Sequence, residues 1–245
     1  GAKFVEENFR GMVKRCRDFG KDLAREPVEV GPTAHFLMGG VVIDPTCRTA
    51  LEGLFAAGED AGGVHGSNRL GGNGVADSTV FGGIAGNVMA EWVVGRPLPA
   101  VTTARAEETA RRLAGALGGA DGSRLYALLA RLREVMWERV GLIREGRGLE
   151  SALGAIEEIE AEAAAVAVPG GPEYNLAWQD WLNLQSMAVA ALLIARSSLE
   201  RTESRGSHFR RDFPESDPRW LVNVLAQAKG KEVRVWTEPV RFRRA

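Results

Sequence analysis

Residues 35–86 read HFLMGGVVIDPTCRTALEGLFAAGEDAGGVHGSNRLGGNGVADSTVFGGIAG and combine a dense set of glycines with two of the three histidines and an Asn-Arg pair. Glycine at this density in a folded region is typical of backbone that takes positive φ or lets a ligand approach closely. LEGLFAAGED predicts a short apolar strand over residues 54–57 that ends at Gly58 and carries Glu59 and Asp60 at its carboxyl edge. Because ligands bind at this edge in open α/β sheets, the segment is interpreted as a site rather than a spacer.

Three motifs in this segment carry a family resemblance. They are HFLMGG at residues 35–40, GLFAAGE at 53–59 and HGSNRLGGN at 65–73. In order and approximate spacing they closely resemble the second half of the flavoprotein subunits of succinate dehydrogenase and fumarate reductase, and L-aspartate oxidase shares much of the pattern. A further run, ESRGSHFRRDFP at 203–214, resembles the C-terminal signature of the same family. The resemblance covers essentially the whole chain and implies the C-terminal portion of an FAD-dependent oxidoreductase.

Composition limits the classes of protein that fit. The chain has 245 residues with 45% hydrophobic content, enough for a core and for one or two domains. A net charge of −1 gives no overall field for nucleic acid or an anionic membrane. Two cysteines without metal-ligand spacing favour a reducing compartment, and no metal site is predicted. Without a charge-free apolar run or a signal-peptide core, a cytoplasmic location is expected, with membrane contact only through a partner in a complex.

The predicted fold class is α+β and mostly helical. Periodicity predicts extended segments over 28–44, a hairpin over 220–228 and 232–236, and helices near 3–25, 73–94, 102–117, 121–144, 147–166 and 175–203. With the resemblance, this gives the tail of a capping domain (1–31), the C-terminal part of an α/β FAD-binding domain (32–95), a helical bundle domain (96–213) and a C-terminal β tail (214–245).

Arg69 is the first candidate for substrate binding. Its guanidinium stands among Gly66, Gly71 and Gly72, which leave room for the planar fork to pair with a carboxylate. By its residue type alone Arg69 also suits a structural role in tying down a loop, but the resemblance implies that it holds one carboxylate of a C4 dicarboxylate. His35 matches the family's substrate histidine and would donate to the other carboxylate, the alternative being a satisfied core histidine.

The resemblance also implies contacts with FAD. Glu59 matches the residue that accepts hydrogen bonds from the ribityl region, the alternative being a surface carboxylate. Asn73, Gly74 and Val75 begin the following helix, whose free N–H groups and dipole favour negative charge at the edge of the flavin ring. The family more often has Asn-Ser-Leu at these positions, so Gly74 lacks a hydroxyl group but keeps its backbone donor.

Other polar residues are predicted to be structural. His65 is expected to shape the loop that carries Arg69. Arg205 and His208 lie in the C-terminal signature among charged neighbours that offer ion-pair partners, so a role in closing the fold is expected there.

Two family features are missing from the sequence. One is the G-x-G-x-x-G fingerprint with its acidic ribose residue, which holds the ADP half of FAD. The other is the capping-domain arginine that protonates the substrate. The FAD site is therefore expected to be incomplete in this chain, and no catalytic residue is assigned to it.

The predicted function is interconversion of succinate and fumarate, or of a related dicarboxylate, by hydride transfer with FAD. This chain alone is expected to be inactive. Its expected partners are the dicarboxylate, an N-terminal half of the flavoprotein and, as a further option, an iron-sulfur subunit, with no nucleic acid. Two alternatives stay open: L-aspartate oxidase, and a non-catalytic assembly module that docks an N-terminal flavin domain or an iron-sulfur subunit.

Overall fold

The structure is a computed structural model that describes residues 1–31, 33–97, 100, 102–229 and 232–241. The chain divides into two units, Gly1–Leu37 and Met38–Ala245.

The first unit contains two short helices, α1 (Ala2–Asn8) and α2 (Arg10–Asp18). The prediction of one helix over 3–25 is wrong because Phe9 leaves the helical conformation, with φ −123° and ψ 38°. The second helix ends at Asp18, and Gly20 closes it with φ 75° and an N–H that donates to the carbonyl of Arg17 at 2.9 Å. Glu6 of α1 accepts hydrogen bonds from Arg17 and Arg25 at 3.0 and 2.9 Å, so the chain after α2 folds back onto α1.

The second unit begins with loops instead of the predicted strands. In the described part of the chain no strand forms over 28–44 or over 54–57. Single-residue bridges pair Val41 with Ala61 and Arg48 with Phe55. A strand needs neighbours that satisfy its backbone groups over several residues, and a one-residue bridge does not supply them. The strand predictions are therefore wrong for the described residues.

Helix α3 (Asn73–Val93) follows these loops, close to the predicted range. It is apolar over most of its surface, yet among its residues only Asp77 and Ala85 are buried. Val75, Val80 and Val93 are 77%, 57% and 56% exposed. Exposed apolar surface of this extent is typical of a face that contacts another polypeptide or a ligand.

The four helices predicted after residue 99 are present, with ends within a few residues of the predicted ones, and three of them pack together as a bundle. The four helices are α4 (Thr103–Ala114), α5 (Ser123–Val140), α6 (Gly146–Ala164) and α7 (Leu176–Glu200). Helices α5, α6 and α7 pack together around Leu132, Ile156 and Leu184, which are at most 1% exposed. Full burial of each such side chain stabilises the fold by about 1.5–3 kcal/mol relative to exposure.

Helix α7 alone among the described helices is long and apolar enough to cross a membrane by length and composition. Its Trp181, Leu184 and Ala191 are buried in the bundle core, and Trp181 donates its indole N–H to the carbonyl of Ala163 in α6 at 3.0 Å. The side chain of Asn175 accepts from the N–H of Trp178 and caps the helix start. Packing within the bundle accounts for the apolar composition of α7.

The chain ends in an antiparallel hairpin of β1 (Val222–Lys229) and β2 (Glu232–Pro239). Val222 pairs with Pro239 and Lys229 with Glu232, a register that leaves a two-residue connection. The predicted hairpin is confirmed. The predicted turn residues Gly230 and Lys231 lie outside the described residues.

Candidate functional site

Glu59 is carried by a single 3-10 turn, Gly58–Asp60, that packs on α3. Ala57 is extended, and the chain turns at Gly58, which takes φ 75°. A Cβ at Gly58 would lie 2.9 Å from the hydroxyl oxygen of Ser78. The glycine is therefore required both for the backbone angle and for the close packing that places the Glu59 turn on the helix.

Gly40 of the H-x-x-M-G-G motif serves a similar contact between two segments of backbone. Val41 donates its N–H to the carbonyl of Asp60 at 2.8 Å, and Gly62 donates to the carbonyl of Val41 at 2.9 Å. A Cβ at Gly40 would lie 2.8 Å from the carbonyl carbon of Ala61. The close approach that the sequence predicted is here an approach of the chain to itself, and it fixes the segment that follows the motif against the Glu59 turn.

A buried pair of side chains, His65 and Asp77, anchors the loop that carries Arg69 to helix α3. His65 Nε2 lies 3.1 Å from Asp77 Oδ2, and the two side chains are 5% and 2% exposed. This contact fits the predicted role of His65 in shaping the loop. Asp77 was not among the predicted site residues, although an acidic residue in a largely apolar helix is a usable signal.

Beyond this anchor the loop is open. Arg69 is partly buried, whereas Leu70 is 74% exposed. A Cβ at Gly71 or Gly72 would meet no atom within 4 Å, so a ligand has access to the backbone there. Gly72 takes φ 82° and turns the chain directly into α3, and the N–H of Asn73 bonds to the carbonyl of Leu70 at 3.2 Å.

The first turn of α3 offers backbone donors. The helix start has no side-chain cap and no acidic residue in its first turn, and the N–H groups of Gly74 and Val75 have no partner inside the helix. The hydroxyl group of Ser78 donates to the carbonyl of Gly74 at 3.0 Å. Ser78 is also the residue that packs against Gly58 of the Glu59 turn. Arg69 thus directly precedes the first turn of α3, and the Glu59 turn packs on the same helix.

His35 is exposed and belongs to the first unit, whereas Arg69, Glu59, Asn73 and the rest of the predicted site belong to the second. Its pairing with Arg69 across a substrate therefore stays a prediction.

The C-terminal signature forms a dense polar network, as its charged residues predicted. The Glu203 side chain is fully buried and accepts hydrogen bonds from Arg201, Arg205 and the N–H of Asp217 at 2.6–3.0 Å. Burial alone raises the pKa of Glu203, but the hydrogen bonds from Arg205, Asp217 and Arg201 outweigh it and hold the pKa below its usual value. The carboxylate is therefore charged and paired at neutral pH.

Arg210 closes the end of α7 in the same network. It is 2% exposed and donates to the carbonyls of Ser198, Leu199 and Arg201 at 3.0–3.2 Å. Its other nitrogens bond to Asp212, which also accepts from the N–H of Gly146 at 2.9 Å. One ion pair therefore ties the last carbonyls of α7 to the first turn of α6.

The pKa of His208 sets a pH dependence. Burial, with the Arg144 guanidinium 2.8 Å from Nδ1, lowers the pKa of His208 from 6.5 to about 4. Between these values the unfolded chain binds the proton and the folded protein does not, so stability is lost as the pH falls. We expect the urea midpoint of the wild type to drop between pH 7 and 5 by more than that of His208→Gln, whose amide keeps both hydrogen bonds. Equal drops in the two proteins would contradict this assignment.

The tip of the signature reaches the Arg69 loop. Ser207 donates its N–H and its hydroxyl group to the carbonyl of Ser67 at 3.0 and 3.1 Å. Sequence analysis missed this contact, because the two residues are 140 positions apart and nothing local marks the pair.

Comparisons with known proteins show which family the chain resembles. Residues 1–75 match the family described as FAD binding domain, and residues 129–245 match the family described as fumarate reductase flavoprotein C-term. The chain is 42% identical to a fumarate reductase (CoM/CoB) polypeptide of Methanothermobacter marburgensis, over 92% of this chain and 41% of the relative. It is 38% identical to the L-aspartate oxidase of Rhodospirillum rubrum, over 89% of this chain and 69% of that enzyme.

Among solved structures, Mycobacterium smegmatis Sdh1 in complex with UQ1 superposes with a TM-score of 0.86 at 35% identity. The match covers 97% of this chain and 41% of Sdh1. The chain thus spans about two fifths of the length of Sdh1 and of the fumarate reductase polypeptide.

Proposed function

Because the chain belongs to the flavoprotein family of fumarate reductase, succinate dehydrogenase and L-aspartate oxidase, we propose that it is the C-terminal portion of an FAD-dependent oxidoreductase that interconverts succinate and fumarate. The observation that carries this proposal is the open, glycine-lined loop in which Arg69 stands directly before the uncapped start of α3. A planar cation that directly precedes a helix start with backbone donors supports this proposal, because a guanidinium can pair with a carboxylate and a helix N-terminus favours an anionic ring.

FAD is the cofactor of this family, and the described residues fit one part of it. The N–H groups of Gly74 and Val75 suit the ring edge, because the helix start has no side-chain cap. Glu59, exposed on its turn against α3, suits the hydroxyl groups of the ribityl chain. The sequence has no fingerprint for the ADP half, so this chain supplies only part of the FAD site.

When bound, FAD would supply the hydride chemistry of the proposed reaction, and the residues of this chain would bind and polarise the substrate. Arg69 holds one carboxylate in a bidentate pair, which fixes the carbon skeleton and stabilises charge that develops beside it. The family resemblance assigns His35 to the second carboxylate. The proton on the adjacent carbon comes from a residue outside the motifs of this chain, since the family's capping-domain arginine has no counterpart in the sequence.

Substrate choice tests the proposal. We define the assembled flavoprotein as this chain together with a polypeptide that carries the FAD fingerprint and the capping-domain arginine. It should reduce fumarate with a reduced viologen dye and should not oxidise L-aspartate. The loop 65–72 contains no acidic residue, so the ammonium group of aspartate would be desolvated in this loop without a partner.

L-Aspartate oxidation with no turnover of fumarate would favour the second enzyme function, which the similarity to the Rhodospirillum rubrum enzyme supports. A different class of function, a non-catalytic assembly module, is supported by the exposed apolar surface of α3. The polypeptide that binds this surface of α3 would be the N-terminal flavin domain or an iron-sulfur subunit. Dependence of fumarate reduction on Arg69 decides between enzyme and module, because only a substrate site within this chain makes turnover of the assembled protein sensitive to Arg69→Ala.

A further inference from the structure

The tip of the C-terminal signature is a rigid turn. Arg205 and His208 exchange both backbone hydrogen bonds, at 2.8 and 3.0 Å, so Gly206 and Ser207 form a two-residue tip. Both flanks are fixed from behind. Arg205 makes a bidentate pair with the buried Glu203, and His208 accepts from Arg144 at 2.8 Å. The tip is therefore held in place by residues that adjoin the bundle helices.

The tip contacts the loop that carries Arg69. Ser207 gives two hydrogen bonds to the carbonyl of Ser67, which lies two residues before Arg69. Gly206 takes φ 59°, and a Cβ there would lie 2.7 Å from the hydroxyl oxygen of Ser67 and would overlap its carbonyl oxygen. On its other side the same loop is held by the His65–Asp77 pair.

We propose that Gly206 and Ser207 are positioning residues, which clamp the Arg69 loop from the helical bundle and thereby set the place of the guanidinium. The bundle then has a role in substrate binding besides folding. Neither residue touches the substrate; each acts through Ser67. The contact between Ser207 and Ser67 does not depend on the proposed function. Its effect on substrate binding rests on the proposed function, in which Arg69 binds the dicarboxylate.

The first test measures amide hydrogen exchange in the 245-residue chain. Ser207→Ala removes one of the two hydrogen bonds, and exchange over residues 65–72 should become roughly tenfold faster while that of α5 and α6 stays unchanged. Ser151→Ala is the matched control, since it loses one hydrogen bond from Arg139 inside the bundle. Equal exchange over 65–72 in the two variants would overturn the clamp.

The second variant separates steric contact from backbone strain. Gly206→Ala and Gly118→Ala both place a side chain at positive φ, but a Cβ at Gly118 meets no atom within 4 Å. Only Gly206→Ala should displace the loop, with faster exchange over 65–72. An equal effect of the two alanines on that loop would contradict the steric role.

The assembled flavoprotein supplies the kinetic readout. Gly206→Ala should raise KM for fumarate about tenfold or more at unchanged FAD content, whereas Gly118→Ala should leave KM unchanged. An unchanged KM in both would overturn the link to Arg69. If exchange responds as expected but the wild-type assembly does not turn over fumarate, the clamp stands and the proposed function fails, so the two failures are distinguishable.

Discussion

Replacing Arg69 by alanine in the assembled flavoprotein is expected to lower kcat/KM for fumarate by about 10²–10⁴-fold. The physical reason is that one carboxylate of a desolvated dicarboxylate loses its charged partner, a loss of roughly 3–5 kcal/mol. Steady-state rates with a reduced viologen dye measure the effect. FAD content should not change, because Arg69 belongs to the substrate side of the site and Glu59 and the start of α3 to the flavin side.

A lysine at the same position sharpens the result. Arg69→Lys keeps the charge but not the planar fork, so it should recover little of the lost activity. Near-normal turnover by the lysine variant would show that a point charge suffices and that the bidentate role is wrong. Arg124→Ala is the control, since Arg124 makes only an exposed ion pair with Glu162 in the bundle and its loss should leave kcat/KM unaltered.

The helices of the bundle could be predicted from the sequence because their signals are local. Alanine, leucine and charged residues at helical spacing, with Gly118-Gly119 and the Pro169–Pro172 run between them, set the ends of α4 to α7 within a few residues. The hairpin followed from alternation around a glycine. The helix over 3–25 failed at Phe9, which lies between the weak helix formers Asn8 and Gly11.

The strand predicted over 54–57 failed for a different reason. Its apolar residues suit a strand, but a strand forms only beside partners, and in the described part of the chain Phe55 pairs with Arg48 alone. Local propensity therefore says what a segment prefers, and the neighbours decide whether that preference is met.

The candidate site likewise divides into residues that the local sequence predicts and residues whose role depends on packing. Arg69, Glu59 and the residues at the start of α3 could be named from motifs, because their chemistry depends on residue type and on adjacent glycines. The contacts of His65 with Asp77 and of Ser67 with Ser207 could not, since both depend on how distant segments pack. A motif thus identifies the groups that meet a ligand, whereas the side chains that hold those groups in place emerge only from the fold.

The largest expected effect is recovery of function by complementation. Helix α3 exposes Val75, Val80 and Val93, and the Glu59 turn packs on the same helix. A polypeptide with the FAD fingerprint and the capping-domain arginine should bind this face, because association removes exposed apolar surface from water. FAD bridges the two pieces and binds only the assembled form, so its presence should tighten the association.

A charged residue on the exposed face of α3 gives the matched comparison. Val80→Lys should abolish association with the N-terminal half, because the ammonium group would lose its water in the apolar contact. Val189→Lys is the control, since Val189 is a similarly exposed valine, 48% accessible, on α7 of the bundle. Neither substitution should unfold the chain, as both side chains already face solvent. Equal binding by both variants would place the partner elsewhere than on α3.

The experiment co-expresses the two polypeptides and measures flavin content, co-purification and dye-linked fumarate reduction. The chain alone should hold substoichiometric FAD, because the phosphate contacts of the fingerprint are absent from its sequence. The assembled pair should be yellow and should reduce fumarate, and Glu59→Ala should lower its flavin content through the lost ribityl contact. Stoichiometric FAD in the chain alone would show that its site is complete without a partner. A pair that holds flavin and reduces fumarate equally well with Arg69→Ala would overturn the substrate site and leave the family and fold intact.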